Sequence, residues 1–179
     1  METAMRMFRQ HGYEGVSIAD LTDAIGIAPP SLYAAFGSKA GLYREALDHY
    51  TALPGAMDGM ADADTLEEAV SGLLLSAIKA VTSEERGCMI STGLVVGAAA
   101  HRELARELRD RREDLRGRIA HGLRPWLDPS EAERLSAYLF AVLQGMAIQA
   151  RDGAGEHELL PIRDAVMAGI RANQTRLSA

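Results

Sequence analysis

The chain has 179 residues, of which 47% are hydrophobic, and its formal net charge is −6. A chain of this length buries enough apolar surface to fold without disulfides or metals, and its single cysteine excludes an intrachain disulfide. The sequence contains no signal-peptide pattern and no apolar run of roughly 18 residues. We therefore expect a protein of the reducing cytoplasm that does not span a membrane.

The first clear elements lie in the stretch GYEGVSIADLTDAIGIAPPSLYAAFGSK, residues 12–39. Ser17 is followed by Asp20 three residues later, which is the spacing of a capping box, and apolar residues then recur at helical intervals. This pattern predicts a short helix with one buried face. The apolar residues of that face are Ile18, Leu21 and Ile25.

A second short helix is predicted after a turn at Gly26. Ala28 and Pro29 begin it, because a proline at the first helical position lacks only an N–H that would have had no partner. Leu32 and Phe36 form the predicted buried stripe. The two helices make a helix-turn-helix, and the outward face of the second has the shape needed to enter the major groove of DNA. That face holds Ser31, Tyr33 and Ala34.

This segment resembles the DNA-binding domain of the TetR family of transcriptional regulators. It has the family's helix-turn-helix, its Tyr-x-x-Phe-x-x-Lys segment as Tyr33, Phe36 and Lys39, and an amphipathic connecting helix that begins at Lys39. Farther on, GCMISTG from Gly87 to Gly93 resembles the start of the sixth helix in one branch of the family. The resemblance implies a double-stranded DNA operator as partner. The residues predicted to face that DNA are Ser17, Ala28, Pro29, Pro30, Ser31, Tyr33 and Lys39.

Charge alone does not indicate DNA binding. Residues 1–50 contain four basic and six acidic residues, whereas nucleic-acid-binding domains usually carry a basic patch. Phosphate contacts are therefore expected from Lys39, from the hydroxyl groups of Ser17, Ser31 and Tyr33, and from backbone N–H groups at helix N-termini. The chain begins within the predicted first helix, so we expect the basic arm of the family to be absent or to lie upstream.

Five further helices are predicted behind the connecting helix from apolar periodicity, caps and breakers, and no alternating strand pattern of useful length occurs. The predicted fold is all-α with about nine helices. An N-terminal three-helix helix-turn-helix domain covers residues 1–50, and a C-terminal antiparallel helical domain for effector binding and dimerisation covers residues 51–179. The five helices run from Leu66 to Val81, Cys88 to Ala100, Arg102 to Leu123, the cap Ser130 to Ala150, and about Glu158 to Arg171.

The segment from Arg102 to Arg118 is rich in charge, with seven arginines and five acids. Most of these charges are spaced as i, i+4 pairs, which favours a solvated helix face over a DNA contact. The predicted pairs are Arg106 with Asp110, Glu107 with Arg111, and Asp114 with Arg118.

The helix LSAYLFAVLQGMAIQA, residues 135–150, is apolar around most of its circumference. Such a helix is buried on all sides, and in a short chain a partner subunit is the better candidate to cover one of them. The resemblance also implies a homodimer, since this family dimerises through its last two long helices. A two-fold dimer requires an inverted-repeat operator with half-sites about 34–36 Å apart. The predicted interface residues are Ala137, Ala141, Gly145, Ile148, Leu159, Ile162, Val166 and Ile170.

The resemblance further implies a small-molecule effector enclosed by the middle helices. Each apolar candidate is, in the simpler interpretation, an ordinary core residue. Gln144 differs because a buried amide needs a hydrogen-bond partner, either a ligand or its two-fold mate. The few aromatic residues favour an aliphatic cavity for a neutral or hydrophobic molecule. The candidates are Leu74, Ile78, Met89, Ile90, Leu94, Leu108, Phe140 and Gln144.

Other chemistry has little support in the sequence. The five histidines lack the spacing of metal ligands, and no phosphate loop, catalytic carboxylate pair or nucleophile elbow appears, so we predict no metal, no cofactor and no enzyme activity. Cys88 is either a thiol sensor or, more simply, a small core residue.

Two functions therefore remain from the sequence. The favoured one is a dimeric repressor in which an effector shifts the connecting helix, from Lys39 to Ala52, and changes the separation of the two recognition helices. The alternative is an all-helical small-molecule binding protein or enzyme that keeps the fold and no longer binds DNA. Pro29 and Pro30 support the alternative, because they stand where many relatives place an arginine able to read guanine.

Overall fold

The computed structural model describes residues 1–53, 55–84, 86–93 and 101–177, with side chains described up to residue 172. Every regular element in these ranges is a helix, which confirms the all-α prediction. None of these helices is long and apolar enough to cross a membrane. The elements are α1 Glu2–His11, α2 Ile18–Ile25, α3 Pro29–Phe36, α4 Lys39–Thr51, a 3₁₀ helix Ala56–Met60, α5 Leu66–Thr82, α6 Arg102–Leu123, α7 Pro129–Arg151 and α8 Glu156–Leu177.

The chain divides into two compact units, each made of two stretches of sequence. The N-terminal unit combines Met1–Leu53 with Gly87–Arg112, and the C-terminal unit combines Pro54–Arg86 with Glu113–Ala179. This differs from the predicted division after residue 50, because residues 87–112 pack with the helix-turn-helix. Helix α6 therefore contributes residues to both units.

Aromatic rings form the core of the N-terminal unit. Phe8 of α1 and Tyr43 of α4 meet edge to face with ring centroids 4.8 Å apart, and Tyr13 meets Tyr43 in the same way at 5.3 Å. The Tyr43 hydroxyl donates a long hydrogen bond of 3.4 Å to the carbonyl oxygen of Met89. Leu108 of α6 is fully buried in the same cluster. These contacts explain why residues 87–112 belong to this unit.

Ion pairs join α4 to the first part of α6 within the N-terminal unit. The Arg44 guanidinium donates two hydrogen bonds to the Glu107 carboxylate, at 2.7 and 2.8 Å, and Arg111 pairs with Asp48. The predicted close ion pair of Glu107 with Arg111 does not form, because each has its close partner on the neighbouring helix, and Arg111 acts on the Glu107 carboxylate only electrostatically. Two parallel N–H···O bonds fix orientation as well as distance, so the first pair sets how the two helices align.

Pairing along α6 itself also differs from the prediction. Arg109 contacts the adjacent Asp110 at 3.7 Å, and Arg116 contacts Glu113 at 3.2 Å. Each of these arginines is thus paired with an acid one or three positions away along the helix. The two remaining predicted pairs, which do not form in the described part of the chain, are Arg106 with Asp110 and Asp114 with Arg118.

Helix α5 is the centre of the C-terminal unit and packs against the 3₁₀ helix, α7 and α8. The 3₁₀ helix approaches α5 so closely that a Cβ atom on Gly72 would lie 1.8 Å from the carbonyl oxygen of Gly59. A Cβ atom on Gly59 would likewise lie 2.1 Å from the carbonyl oxygen of Gly72. Glycine at both positions therefore permits direct backbone contact between the two elements.

Helices α7 and α8, which follow α6 in the chain, begin earlier than the sequence predicts. Helix α7 starts at Pro129 and is capped by Asp128, whose carboxylate accepts a hydrogen bond from the Glu131 backbone N–H at 2.9 Å, so the prediction of Ser130 as the cap is wrong. An acid cap followed by proline at the first helical position is a favourable start. The Gly155 N–H donates to the Glu158 carboxylate at 2.6 Å and sets the start of α8.

The largest difference between the predicted and the observed helices concerns the predicted helix from Cys88 to Ala100. Residues 88–93 form turns, and residues 94–100 lie outside the described residues. The Thr92 N–H donates to the Cys88 carbonyl oxygen at 3.0 Å, which closes a single turn at this point. The apolar run of the sequence therefore does not form a regular helix over its first six residues.

Candidate nucleic-acid interface

A reciprocal capping box fixes the start of α2. The Ser17 hydroxyl oxygen accepts a hydrogen bond from the Asp20 N–H at 3.1 Å, and the Ser17 N–H donates to the Asp20 carboxylate at 2.8 Å. The Ser17 hydroxyl also donates to this carboxylate at 2.6 Å, and this bond is the main cause of the lowered pKa of Asp20. The hydroxyl proton is thus engaged within the protein, so a phosphate contact by Ser17 would have to replace that bond.

A tight turn then leads into α3. Gly26 ends α2 in the left-handed conformation with φ of 79°, and its N–H and that of Ile27 both donate to the Thr22 carbonyl oxygen. Left-handed backbone costs a glycine little, which explains its place at this turn. Leu32 is fully buried and anchors α3, whereas Tyr33 is 49% exposed. The exposed residues here are Ala28, Pro29, Pro30, Ser31, Tyr33, Ala34 and Ala35.

The first three helical residues of α3 offer no free backbone donor. Pro29 and Pro30 have no N–H, and the Ser31 N–H donates to the Ala28 carbonyl oxygen at 2.9 Å. Phosphate contacts from backbone N–H groups require unpaired donors, and residues 29–31 supply none. Hydrogen bonds from the exposed side of α3 can come from the hydroxyl groups of Ser31 and Tyr33.

Lys39 begins α4 directly after its cap, Ser38. The Lys39 ammonium lies over the Tyr13 ring, 4.2 Å from the ring centroid, in a cation–π contact. Burial lowers the pKa of Lys39, while the Glu14 and Asp20 carboxylates act in the opposite direction. The side chain is half-buried, with an aromatic ring and two acids around it.

The structure brings the predicted DNA-facing residues to the starts of three helices of one unit. Asp20 connects two of these positions, because it bonds to Ser17 and interacts electrostatically with Lys39. The resulting surface is mainly apolar, with hydroxyl groups and one partly shielded cation. Such a surface suits the major groove by shape and by contacts with methyl groups.

The predicted dimer residues fall into two groups. On α7, Ala137 and Ala141 are exposed, Ile148 is 46% exposed, and a Cβ atom on Gly145 would meet no other atom within 4 Å. On α8, three of the four are buried within their own unit, and only Ile162 is half-buried. The three buried residues are Leu159, Val166 and Ile170, with exposures of 0%, 3% and 7%.

The predicted effector residues are divided between the two units. In the N-terminal unit Met89 and Leu108 belong to the buried core and Ile90 packs against it. In the C-terminal unit, Leu74 and Ile78 are buried, while Phe140 and Gln144 are half-buried. Leu94 lies outside the described residues.

Sequence reasoning missed three exposed apolar side chains of the C-terminal unit. Tyr138 on α7 is 50% exposed, Leu75 on α5 is 42% exposed and Leu160 on α8 is 36% exposed. Tyr138 stands three residues before Ala141, so it lies on the same exposed side of α7. Leu75 gives no such signal, because it stands in the unbroken apolar run LLL of α5.

The regular elements of the described residues are all helices, and an exposed second helix in a helix-turn-helix is the architecture of DNA-binding regulators. A family model described as bacterial regulatory proteins, tetR family, matches residues 1–46. The HTH-type transcriptional repressor BdcR of Escherichia coli K12 is 31% identical over 174 residues, covering 94% of this chain and 85% of BdcR. The HTH-type transcriptional repressor ComR of the same strain is 30% identical over 175 residues, covering 90% and 82%. The chain therefore belongs to the TetR family of transcriptional regulators.

Solved structures agree with this assignment. The TetR family regulator CifR, determined as a cysteine mutant with a 26-base-pair double-strand operator DNA, has a TM-score of 0.85 and 33% identity, and 93% of each chain is covered. A TetR regulator from Legionella pneumophila has a TM-score of 0.73 at 17% identity, covering 92% and 91% of the two chains, and so shows the shared fold.

Proposed function

We propose that this regulator is a dimeric, ligand-responsive repressor that binds double-stranded operator DNA through α3. The observation that carries the proposal is the pairing of a fully buried Leu32 with a protruding Tyr33. This geometry holds the exposed residues of α3 on a rigid support, as base reading requires. The operator complex of CifR and the repressor activity of BdcR and ComR support the same role.

The chemistry of α3 favours contacts with thymine over contacts with guanine. Guanine is read mainly by arginine or lysine through two hydrogen bonds, and the exposed residues from Ala28 to Ala35 include neither. Alanine, proline and tyrosine can instead pack against the C5-methyl group of thymine. The hydroxyl groups of Ser31 and Tyr33 can bond to base edges or phosphates.

We propose that the exposed side of α7 forms the dimer interface. Ala137, Ala141 and Gly145 are small, so a second helix can approach closely there, and Tyr138 and Ile148 supply apolar area at the same face. Of the predicted α8 residues, Ile162 remains available to such an interface. An isologous contact of this kind gives a two-fold dimer and hence an inverted-repeat operator.

The response to an effector is a coupling free energy between two sites. A small molecule bound in the C-terminal unit lowers DNA affinity only if it prefers the state in which the recognition helices are wrongly spaced. A coupling of about 1 to 3 kcal/mol is typical and changes affinity by roughly 5- to 150-fold. In this account the effector shifts α4, which begins at Lys39 beside the DNA-facing surface.

One observation favours a second candidate function, a small-molecule binding protein that has lost DNA binding. Pro29 and Pro30 remove the backbone donors at the start of α3, and the N-terminal unit has no excess of basic residues. The two functions differ in one measurable property, which is sequence-specific binding to DNA.

Selection of DNA from a random pool with the purified protein tests the proposal. We expect an inverted repeat, rich in A·T pairs within each half-site, after several rounds. Ala141→Arg places a charge on the exposed side of α7 and should sediment as a monomer and enrich no repeat. Glu84→Arg, an exposed position outside α7 and α8, is the control and should behave as the wild type. Absence of enrichment with the wild-type protein would favour the second candidate function.

A further inference from the structure

An open groove of about 990 Å³ lies in the C-terminal unit, beside the 3₁₀ helix and the second part of α6. Its apolar lining includes Met57, Met60 and Trp126. Methionine side chains are polarizable and adapt to ligands of irregular shape, and a tryptophan face attracts cations as well as apolar groups. The lining includes none of the eight residues that the sequence proposes for the effector.

The groove is held open by fixed contacts within its unit. The Gly59–Gly72 backbone contact positions the wall that carries Met57 and Met60. The Trp126 indole N–H donates to the Asp64 carbonyl oxygen at 3.2 Å, which orients the ring. A Cβ atom on Gly117 would meet no protein atom within 4 Å, so this position faces open space. The cavity is thus part of the packed fold.

Within the described part of the chain, the groove offers one carboxylate without an ion-pair partner, in a unit whose net charge is negative. The charged or titratable residues of its lining are two acids, Glu113 and Asp114, with Arg118 and His121. Glu113 is paired with Arg116 at 3.2 Å, but no basic nitrogen among the described residues lies within ion-pair distance of the Asp114 carboxylate. The whole C-terminal unit contains sixteen acidic and ten basic residues, so it carries the full net charge of the chain. Such a field raises the local concentration of cations.

We propose that this groove binds an organic cation with an apolar, aromatic body and is the effector site of the regulator. The apolar body packs against the two methionines, and the positive charge lies between the face of Trp126 and the carboxylate of Asp114. The inference rests on the proposed function and gives that function a ligand class. It differs from the neutral ligand that the sequence favours.

Trp126 is the sole tryptophan of the chain, so its fluorescence reports directly on the groove. The probes are tetraphenylphosphonium and tetraphenylborate, which match in size and shape and differ in the sign of their charge. We expect tetraphenylphosphonium to change the fluorescence saturably and to bind at least tenfold more tightly than tetraphenylborate. Equal affinities, or tighter binding of the anion, would overturn the proposal.

Variants at Gly117 locate the site. Gly117→Leu places a side chain in the groove from a position where the Cβ atom meets no neighbouring group, and we expect it to abolish saturable binding of tetraphenylphosphonium. Gly117→Ala raises helix propensity in the same way but fills little of the groove, and it should bind as the wild type does. Asp114→Asn should lower the affinity for the cation by about two- to fivefold, as removal of an exposed charge partner does. Unchanged binding in Gly117→Leu, with unchanged circular dichroism, would show that the probe binds elsewhere.

The fluorescence titration contains no DNA, so its result is independent of the proposed function. On protein that binds its operator, saturating tetraphenylphosphonium should shift the DNA-binding curve by at least fivefold. Binding in the groove with no such shift would overturn the assignment of the groove as effector site. Failure to bind any DNA would contradict the proposed function, while fluorescence would still decide whether the groove binds cations.

Discussion

At the scale of single residues, Ser17 stabilises the start of α2 although its side chain is exposed. It makes three hydrogen bonds with Asp20, two through its hydroxyl group and one through its backbone. We expect Ser17→Ala to lower the free energy of unfolding by about 1 kcal/mol, the usual cost of losing an N-cap. Ser17→Gly, which frees the helix end for water, should cost only a few tenths of a kcal/mol. Urea denaturation at neutral pH measures both, and equal stabilities of wild type and Ser17→Ala would contradict the capping role.

The same cap has a defined dependence on pH. The folded-state pKa of Asp20 is lowered, so its contribution is fully present above the ordinary aspartate pKa and is lost as the pH falls through the lowered value. Asp20→Asn should therefore be less stable than the wild type near pH 7 and equally stable in strong acid. A difference that stays constant across this range would show that the carboxylate charge is not involved.

At the scale of elements, the sequence predicts those features that depend on near neighbours. The starts of α2, α3, α4 and α5 follow from their caps or from proline, because capping bonds join residues three positions apart. Helix α6 was predicted with its observed bounds because its apolar stripe is regular; Leu104, Leu108 and Ile119 are buried and Leu115 is half-buried.

Features that depend on distant residues could not be predicted in this way. Arg44 and Glu107 are 63 positions apart, so nothing in the local spacing of α6 distinguishes this pair from Glu107 with Arg111. The 3₁₀ helix is not among the helices that the sequence predicts, because its packing depends on a glycine in α5. The same limit applies to the candidate site: the exposed face of α3 is local and was found, whereas the groove joins residues near 60 with residues near 120 and was missed.

The contact between the 3₁₀ helix and α5 leads to a prediction at this scale. Gly72→Ala brings a Cβ atom to within 1.8 Å of a carbonyl oxygen and forces the two elements apart. We expect it to lower the free energy of unfolding by about 1 to 3 kcal/mol, as overpacking does. Gly169→Ala on α8 is the matched control, since its Cβ atom would meet nothing within 4 Å and alanine favours the helix by about 0.5 to 1 kcal/mol. If both variants gain stability, the close contact does not exist in solution.

At the scale of the whole molecule, the two units differ in net charge. The N-terminal unit contains nine basic and nine acidic residues, while the C-terminal unit carries the entire net charge of −6. Counterion release therefore supplies less of the DNA affinity than in a basic domain, and specific contacts by α3 have to supply more. For the same reason, removal of one α3 side chain should lower the DNA affinity substantially.

The most direct test of the account is fluorescence anisotropy of the selected operator with wild-type protein and the Tyr33→Ala variant. Tyr33 is 49% exposed on the face that we assign to the DNA and is not a member of the buried core, so its removal should leave dimerisation and unfolding nearly unchanged. We predict at least a tenfold loss of affinity, because a base contact is worth about 1 kcal/mol or more and occurs twice in a two-fold complex. Lys39→Ala should also weaken binding, with a shallower dependence on salt. Unchanged affinity in both variants would contradict the assignment of α3 as the DNA-reading helix.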